Sequence, residues 1–484
     1  MNLRRRILSG AALLATGQVV GQGFSFIRNI IIARLISPND FGIAATFVIA
    51  VSLLEMSSNL AADRLLVQAE DGNDERFQET AHLLMAVRGT VNAVLLFLLA
   101  WPFSRLFNIP EARWAFQCLA IVPLVMGFAH LDRKRLHRDL RFGRDTIVDV
   151  VDQVIPLIAA WPLAIWLGDY SAVLWLLIGK SVVSVATSHL VAHRPYRLAW
   201  HGAYLKRMLT FGWPLLVNGL LMFGIFHGDR LVVGTAYTMT DLGFYSVAFT
   251  LTMVPTMMLV RIVSALFLPL LSNVQTSPHK FRARYTLSVQ ALCPAAALLA
   301  TLFILGGTFL VTEIYGDKYA PAGTVIGWVA AMQAVRLMRV TPALAAMAKG
   351  DTQTLMLSNI ARSCALALVV LAAIVHAELW WIAAAGLVGE LLALGLVLAR
   401  LTRLHNLPAG VCIRPACLAF AAILLGAGIA DVAPSDRGWL VIVGAAVALS
   451  SAVFVATLLL FSDFRREVLT LIGLVRETKT QAAL

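Results

Sequence analysis

The chain has 484 residues, 59% of them hydrophobic and 14% charged, with a net charge of +12 and a mean hydropathy of +0.80. Soluble domains run at roughly 45–50% apolar and about 25% charged, so this much apolar surface cannot be buried in an aqueous core and must face lipid. The basic residues fall in bursts between apolar runs, which excludes a nucleic-acid surface and is how topology is set in cytoplasmic loops. Cys118, Cys293, Cys364, Cys412 and Cys417 lie in or beside apolar runs without a CxxC pair, so neither a metal site nor a disulfide framework is expected.

Fourteen runs reach the roughly 20 apolar residues that a helix needs to cross a bilayer. In chain order they cover 11–36, 41–66, 81–107, 114–135, 146–167, 171–192, 210–236, 242–271, 285–312, 321–348, 353–375, 378–401, 411–431 and 438–461. With the N-terminus inside, the cytoplasmic connections and tails hold 26 Lys/Arg, from Arg4, Arg5 and Arg6 to Arg466, Arg476 and Lys479. The opposite side holds 5: Arg34, Arg105, Arg113, Lys318 and Arg437. Both termini are therefore expected in the cytoplasm. Arg4–Arg6 would suit a signal peptide, but the run stays helix-compatible to Ile36 without a small-residue cleavage site, so it is read as the first span.

The chain also repeats itself. A shift of 201 positions lays Arg28-Asn29-Ile30-Ile31-Ile32-Ala33 on Asp229-Arg230-Leu231-Val232-Val233-Gly234, and Asp40-Phe41-Gly42 on Asp241-Leu242-Gly243. Six spans separate the copies, an even number, so the repeat is parallel and implies two lobes with a cavity between them. The fold expected is an all-α polytopic bundle. It comprises an N-lobe over 1–208, a C-lobe over 209–405, and two additional helices and a tail over 406–484.

At these residues the chain resembles the polysaccharide transporter family of the multidrug/oligosaccharidyl-lipid/polysaccharide exporter superfamily. Ile31-Ile32-Ala33-Arg34-Leu35-Ile36-Ser37-Pro38-Asn39-Asp40-Phe41-Gly42 is similar to that family's opening motif. Leu136-His137-Arg138-Asp139-Leu140-Arg141-Phe142, Phe267 to Gln275 and Tyr315 to Ala322 are further matches. The resemblance implies a flippase that moves an undecaprenyl-diphosphate-linked oligosaccharide from the cytoplasmic to the outer leaflet by alternating access. It also implies a bacterial inner-membrane location, partnership with polysaccharide polymerase and export machinery, no catalytic residues, and no cofactor beyond coupling to H+ or Na+.

An ionised side chain at membrane depth needs a partner, a wet cavity or a route to the surface. In the first span Gln18, Gln22, Ser25 and Asn29 form one polar stripe flanked by Arg28, either a cavity face or a packing seam helped by Gly17 and Gly21. Ser52, Glu55, Asn59 and Asp63 trace one face of the second span, where Glu55 is an ion carrier or a structural carboxylate. The seventh span offers Asn218 and Asp229 on one face, with Arg230 beside them, and Asp229 is a second ion-coupling candidate. Arg261 and Arg336 complete the cationic set, because a diphosphate suits bidentate guanidinium donors. Arg339 and Arg362 are expected to snorkel toward the inner surface. Asp145, Asp149 and Asp152 are expected to form a cytoplasmic salt-bridge face toward Arg141 or Arg144, and Lys180, Ser184 and Thr187 another polar face. Gly179-Lys180-Ser181 imitates the end of a phosphate-binding loop, but position 174 is Leu and the match fails.

Two other functions compete. A cation-coupled drug or metabolite exporter would lead with carboxylates in its cavity, and a membrane glycosyl polymerase or ligase would carry a long outer loop with polar catalytic residues. The basic cavity candidates and short outer connections favour the flippase.

Overall fold

The computed structural model describes residues 3–139, 141–432, 438–461 and 465, with side chains in the first helix described from residue 17. Arg437, Arg466, Arg476 and Lys479, on which part of the charge argument rests, lie outside the described residues. The helices are α1 (Leu3–Leu35), α2 (Pro38–Ser57), α3 (Ala62–Gln68), α4 (Glu75–Leu106), α5 (Arg113–Leu119), α6 (Ile121–Gly127), α7 (Asp132–Arg135), α8 (Gly143–Leu167) and α9 (Ser171–Leu190). They continue as α10 (Gly202–Ala236), α11 (Met239–Ser272), α12 (Pro278–Tyr315), α13 (Gly323–Ala348), α14 (Thr352–Cys364), α15 (Leu366–Ile374), α16 (Leu379–His405), α17 (Gly410–Val432) and α18 (Trp439–Leu460). Among the described residues there is no strand, so the all-α expectation holds.

Eleven of these segments are long and apolar enough to cross a bilayer, and Pro110–Gly127 with Asp132–Asp139, bent by 47°, makes a twelfth. The other two expected spans are α1 and α13, of 33 and 26 residues. At 1.5 Å per residue both exceed the ~30 Å hydrocarbon thickness; the polar side chains they carry make them less apolar than the rest. The protein is a multi-pass membrane protein.

Three expected spans are not continuous. The second breaks at Ser58–Ala61 between α2 and α3, the fourth is divided into α5, α6 and α7, and the eleventh carries a local irregularity at Ala365 between α14 and α15, which together form one span. The first of these breaks is specified locally. Ala61 is left-handed at φ 49°, the Asn59 side chain accepts the Ala61 amide at 2.9 Å, and Asn92 of α4 donates to the Ser58 hydroxyl at 2.8 Å. Opposite the break, α10 presents glycines. A Cβ on Gly212 would lie 2.6 Å from the Leu60 carbonyl, and one on Gly219 would lie 1.9 Å from that of Met56. Broken helices of this kind are tolerated at membrane depth where protein or a wet cavity covers the freed backbone groups.

By contacts the chain divides into two units, Met1–Ser246 and Val247–Leu484. The division at 208/209 follows the register of the repeat rather than contacts. In the second unit α12 is the hub, with α13, α17 and α18 packed on it. Its core includes Phe281, Tyr285, Val289, Ala296 and Ala300, and Ser450 of α18 donates to the Pro294 carbonyl at 2.8 Å. The last two helices, whose role the sequence leaves open, thus buttress α12.

The first unit shows the repeat in three dimensions. Ser37 caps α2, accepting the Asp40 amide at 3.1 Å while its hydroxyl donates to the Asp40 carboxylate. Thr238 and Asp241, 201 positions on, make the same reciprocal pair at 3.1 and 2.6 Å. In the second copy Asp241 also accepts the Thr238 amide at 3.2 Å, which completes a capping box. The two turns also meet: a Cβ on Gly42 would lie 1.8 Å from the Met239 carbonyl, and one on Gly243 would lie 2.2 Å from that of Pro38. Positions 38 and 42 of one copy correspond to 239 and 243 of the other, so the contact is reciprocal. Gly42→Val and Gly243→Val should each destabilise the protein by roughly 1–3 kcal/mol through overpacking. The double variant should cost less than the sum because both changes wedge one contact. Thermal unfolding in detergent measures this, and wild-type stability of both single variants would contradict the close approach.

Candidate functional site

Packing of α1 on α8, α8 on α9 and α2 on α4 and α9 gathers the charges of the first unit onto facing helices. Gly17 and Gly21 make the α1–α8 seam, the first against Thr146 and the second against Gln153. In the amide stripe beside them Gln18 is exposed and Gln22, Ser25 and Asn29 are half-buried. Arg28, also half-buried, donates to Ser25 Oγ at 3.0 Å and lies within electrostatic reach of Asp152 on α8. Asp152 is in turn within electrostatic reach of Lys180 of α9, Lys180 of Glu55 of α2, Glu55 of Arg88 of α4, and Arg88 of Asp63 of α3. Cations and carboxylates therefore alternate in a ladder across the inside of the unit. A cavity of about 190 Å³ opens at one end, lined by Glu55, Asp63, Arg88, Asn92, His130 and Arg133.

A lipid-facing surface would not carry such a ladder, since each charge would need its own escape to water. Half-buried, the groups lie within electrostatic reach of one another beside the break in the second span. Discontinuous helices of this kind build substrate and ion sites in transporters, because their free ends offer backbone dipoles.

At the end of the ladder a second network corrects the expectation for the acidic stripe. Asp145 pairs with Arg133 at 2.9 Å, Lys134 at 2.7 Å and His137 at 2.9 Å, and Asp149 pairs with Arg133 at 3.3 Å. The expected partners Arg141 and Arg144 do not serve; Arg144 donates to the Val191 carbonyl instead. The stripe folds back on the short α7 because the fourth span ends there. Asp152 leaves the stripe to face Arg28 and Lys180. Arg138 of the family-like motif donates to the carbonyls of Leu66, Val67, Ala69 and Glu70, closing the C-terminal end of α3. His82 stacks on Tyr196 and meets His130 edge-on, as His130 meets His189, under the 191–201 connection, and burial there pushes the Tyr196 phenol up to about 12.

The seventh-span candidates are held locally. Asp229 accepts the Tyr245 hydroxyl at 2.8 Å and the Arg230 amide at 2.8 Å. Arg230 donates to the Phe226 carbonyl at 2.6 Å and to His227 Nδ1 at 3.2 Å. Asn218 is exposed on the same helix.

In the second unit Arg261 is half-buried on α11. Arg336 is deep in the bundle, its side chain 5% exposed and bound to Glu390 at 2.7 Å. Arg362 joins the same carboxylate at 2.7 Å and Arg339 at 3.2 Å. Snorkelling is thereby overturned for Arg339 and Arg362: an internal carboxylate on α16 outcompetes the surface because two of its three partners approach as close as a charge-assisted bond allows.

The family model described as "Polysaccharide biosynthesis protein" matches residues 31–324. The chain belongs to the polysaccharide biosynthesis protein family. Two relatives are similar to it: "Lipopolysaccharide biosynthesis protein WzxC" of Escherichia coli K12 and "Succinoglycan biosynthesis transport protein ExoT" of Rhizobium meliloti 1021. The first is 23% identical, covering 66% of this chain and 65% of its own, and the second 22%, covering 64% and 62%. The chain thus spans somewhat under two thirds of the length of each. In fold it is similar to "Lipid II flippase MurJ, inward closed conformation", with a TM-score of 0.74 at 11% identity, covering 95% of this chain and 100% of that one. The matched region of the polysaccharide biosynthesis family holds the ladder from Glu55 to Lys180 together with Arg230 and Arg261; Arg28 precedes it, and Arg336 and Glu390 follow it.

Proposed function

We propose that the protein flips an undecaprenyl-diphosphate-linked oligosaccharide from the cytoplasmic to the outer leaflet of the bacterial inner membrane by alternating access, without covalent chemistry, during exopolysaccharide, O-antigen or capsule assembly. The observation that carries this reading is the ladder: alternating charges on six helices make a polar track at membrane depth, inside a family of polysaccharide biosynthesis. A diphosphate crossing half-dehydrated needs compensating charge, and Arg28 and Arg230 supply guanidiniums for it. Glu55, at the break in the second span, is the carrier of the coupling H+ or Na+, and Asp229 is the second candidate. The flipped product passes to polymerase and export machinery.

Deleting the gene should abolish surface polysaccharide while lipid-linked repeat units accumulate on the inner leaflet. Undiminished export would overturn the reading. Both termini lie in the cytoplasm in this scheme. A reporter active only outside the cytoplasm should give signal when fused after Gly168, Gly316 or Ala433 and none after Arg141, Pro278 or Leu407, and inversion at two or more sites would reject the orientation.

A further inference from the structure

The second unit carries a stack of indoles well separated in sequence from every group used so far. Trp328 of α13 lies on Trp380 of α16 at 5.1 Å between centroids and 23° between planes, and Trp380 lies on Trp381 at 4.3 Å and 26°. Glu378, the residue immediately before α16, accepts the Trp380 indole N–H through Oε2 at 2.9 Å. That bond fixes the middle plate and leaves Oε1 to accept from something else. The two end plates are open, Trp328 being 40% and Trp381 51% exposed. The stack stands at the end of the bundle where α13 and α16 begin, near Lys318, whereas Lys280, Arg282, Arg284, Lys349, Arg400 and Arg403 belong to the opposite end. By the charge rule the stack is on the outer side.

A tryptophan that only anchors a helix at the interface lies with its ring among acyl chains and its N–H toward water. It needs neither a second indole nor a carboxylate. A pyranose ring uses both, because its C–H face packs on an aromatic plate while its hydroxyls need acceptors, and a carboxylate offers about four acceptor positions. We infer that the Trp328–Trp380–Trp381 stack and Glu378 form a binding site for a pyranose of a membrane-anchored glycan at the outer headgroup level. The anchor is part of the argument. Val388 and Leu392 continue the Trp381 face down α16, 40% and 51% exposed, so a lipid tail can run along apolar side chains in the bilayer while the sugar rests on the plates. The source of that glycan rests on the flippase reading, whereas the site itself does not.

The probe is the repeat-unit oligosaccharide released by mild acid from the lipid-linked intermediate of the producing strain, added to the full-length protein in lipid nanodiscs. Saturation-transfer NMR should show transfer to pyranose ring protons. Trp381→Ala should weaken binding by about tenfold or more, Trp381→Phe should stay within about threefold because it keeps a plate, and Glu378→Gln should weaken it severalfold. Should the alanine variant fail to fold, the exposed Glu378→Gln carries the test. No transfer to the wild type, or equal binding by Trp381→Ala and Glu378→Gln, would reduce the stack to an interfacial anchor and overturn the site. If that happens while export still depends on the gene, the flippase reading stands without it; if export does not depend on the gene but binding does depend on Trp381, the site stands alone.

Discussion

Glu390→Ala should all but eliminate folded protein. Three guanidiniums converge on this one carboxylate, at 2.7, 2.7 and 3.2 Å, and its own side chain is 1% exposed. Removing one partner of a buried pair typically costs about 3–5 kcal/mol, because the charge left behind has no water to turn to. That is a large share of the ~5–15 kcal/mol by which domains are stable. Here three cations are stranded at once. Replacing the whole cluster should be milder, since apolar side chains of similar volume often equal a buried ion pair. Glu390→Leu combined with Arg336→Met, Arg339→Met and Arg362→Met is therefore expected to recover much of the folded yield. Arg339→Ala should cost less than Arg336→Ala, as its contact is longer and its side chain 13% exposed. Size-exclusion profiles and thermal midpoints of the extracted protein report all of these, and a monodisperse Glu390→Ala protein of wild-type midpoint would show that the cluster is not what holds α13, α14 and α16 together.

Arg28→Ala has the opposite profile: export should fall steeply at near-normal abundance. A charge-assisted hydrogen bond contributes about 1.5–3 kcal/mol, and each 1.4 kcal/mol is roughly tenfold. Loss of one diphosphate contact should therefore lower export per folded molecule by about ten- to a hundredfold. Arg28→Lys should rescue only in part, because a point charge lacks the planar fork. Surface polysaccharide measured against folded protein, in a strain without the native gene, provides the comparison. Near-normal export by Arg28→Ala, by Arg230→Ala and by the Arg28/Arg230/Arg261 triple alanine variant would remove these residues from the cargo path while leaving the flippase reading to its own test.

Most of the spans and the repeat are legible in the sequence because both are local. Apolar run length reports bilayer thickness, and Ser37-x-x-Asp40 and Thr238-x-x-Asp241 cap their helices with residues that a register shift exposes directly. Breaks are not legible in the same way. Asn59 and Ala61 look helix-compatible in an apolar run, and only Asn92 from another helix and the bare glycine backbone of α10 show why the chain departs from helix there. Pairing fails for the same reason. Arg133 and Asp145 lie twelve positions apart across a turn whose geometry depends on where the fourth span ends. Glu390 was overlooked although it had a signal: it is the lone charge between Leu379 and Leu398, and a lone carboxylate in such a run requires an internal cation. Arg88 was missed for want of the same question about its helix.

The reciprocal contact of Gly42 and Gly243 bears on how such a protein can change its cargo. In one copy Arg28 precedes the turn, and in the other Asp229 and Arg230 stand in register with Arg28 and Asn29. The capping pairs and the glycines recur in both copies, while the charges a few residues away do not. Geometry and chemistry are therefore separable along a single helix. The turn admits no side chain and is bound to its twin, so drift there is penalised in both copies at once. Arg28 bonds to Ser25 of its own helix, whereas Asp229 reaches Tyr245 beyond its turn, so a lineage can rewrite the charge at position 28 without disturbing the turn beside it.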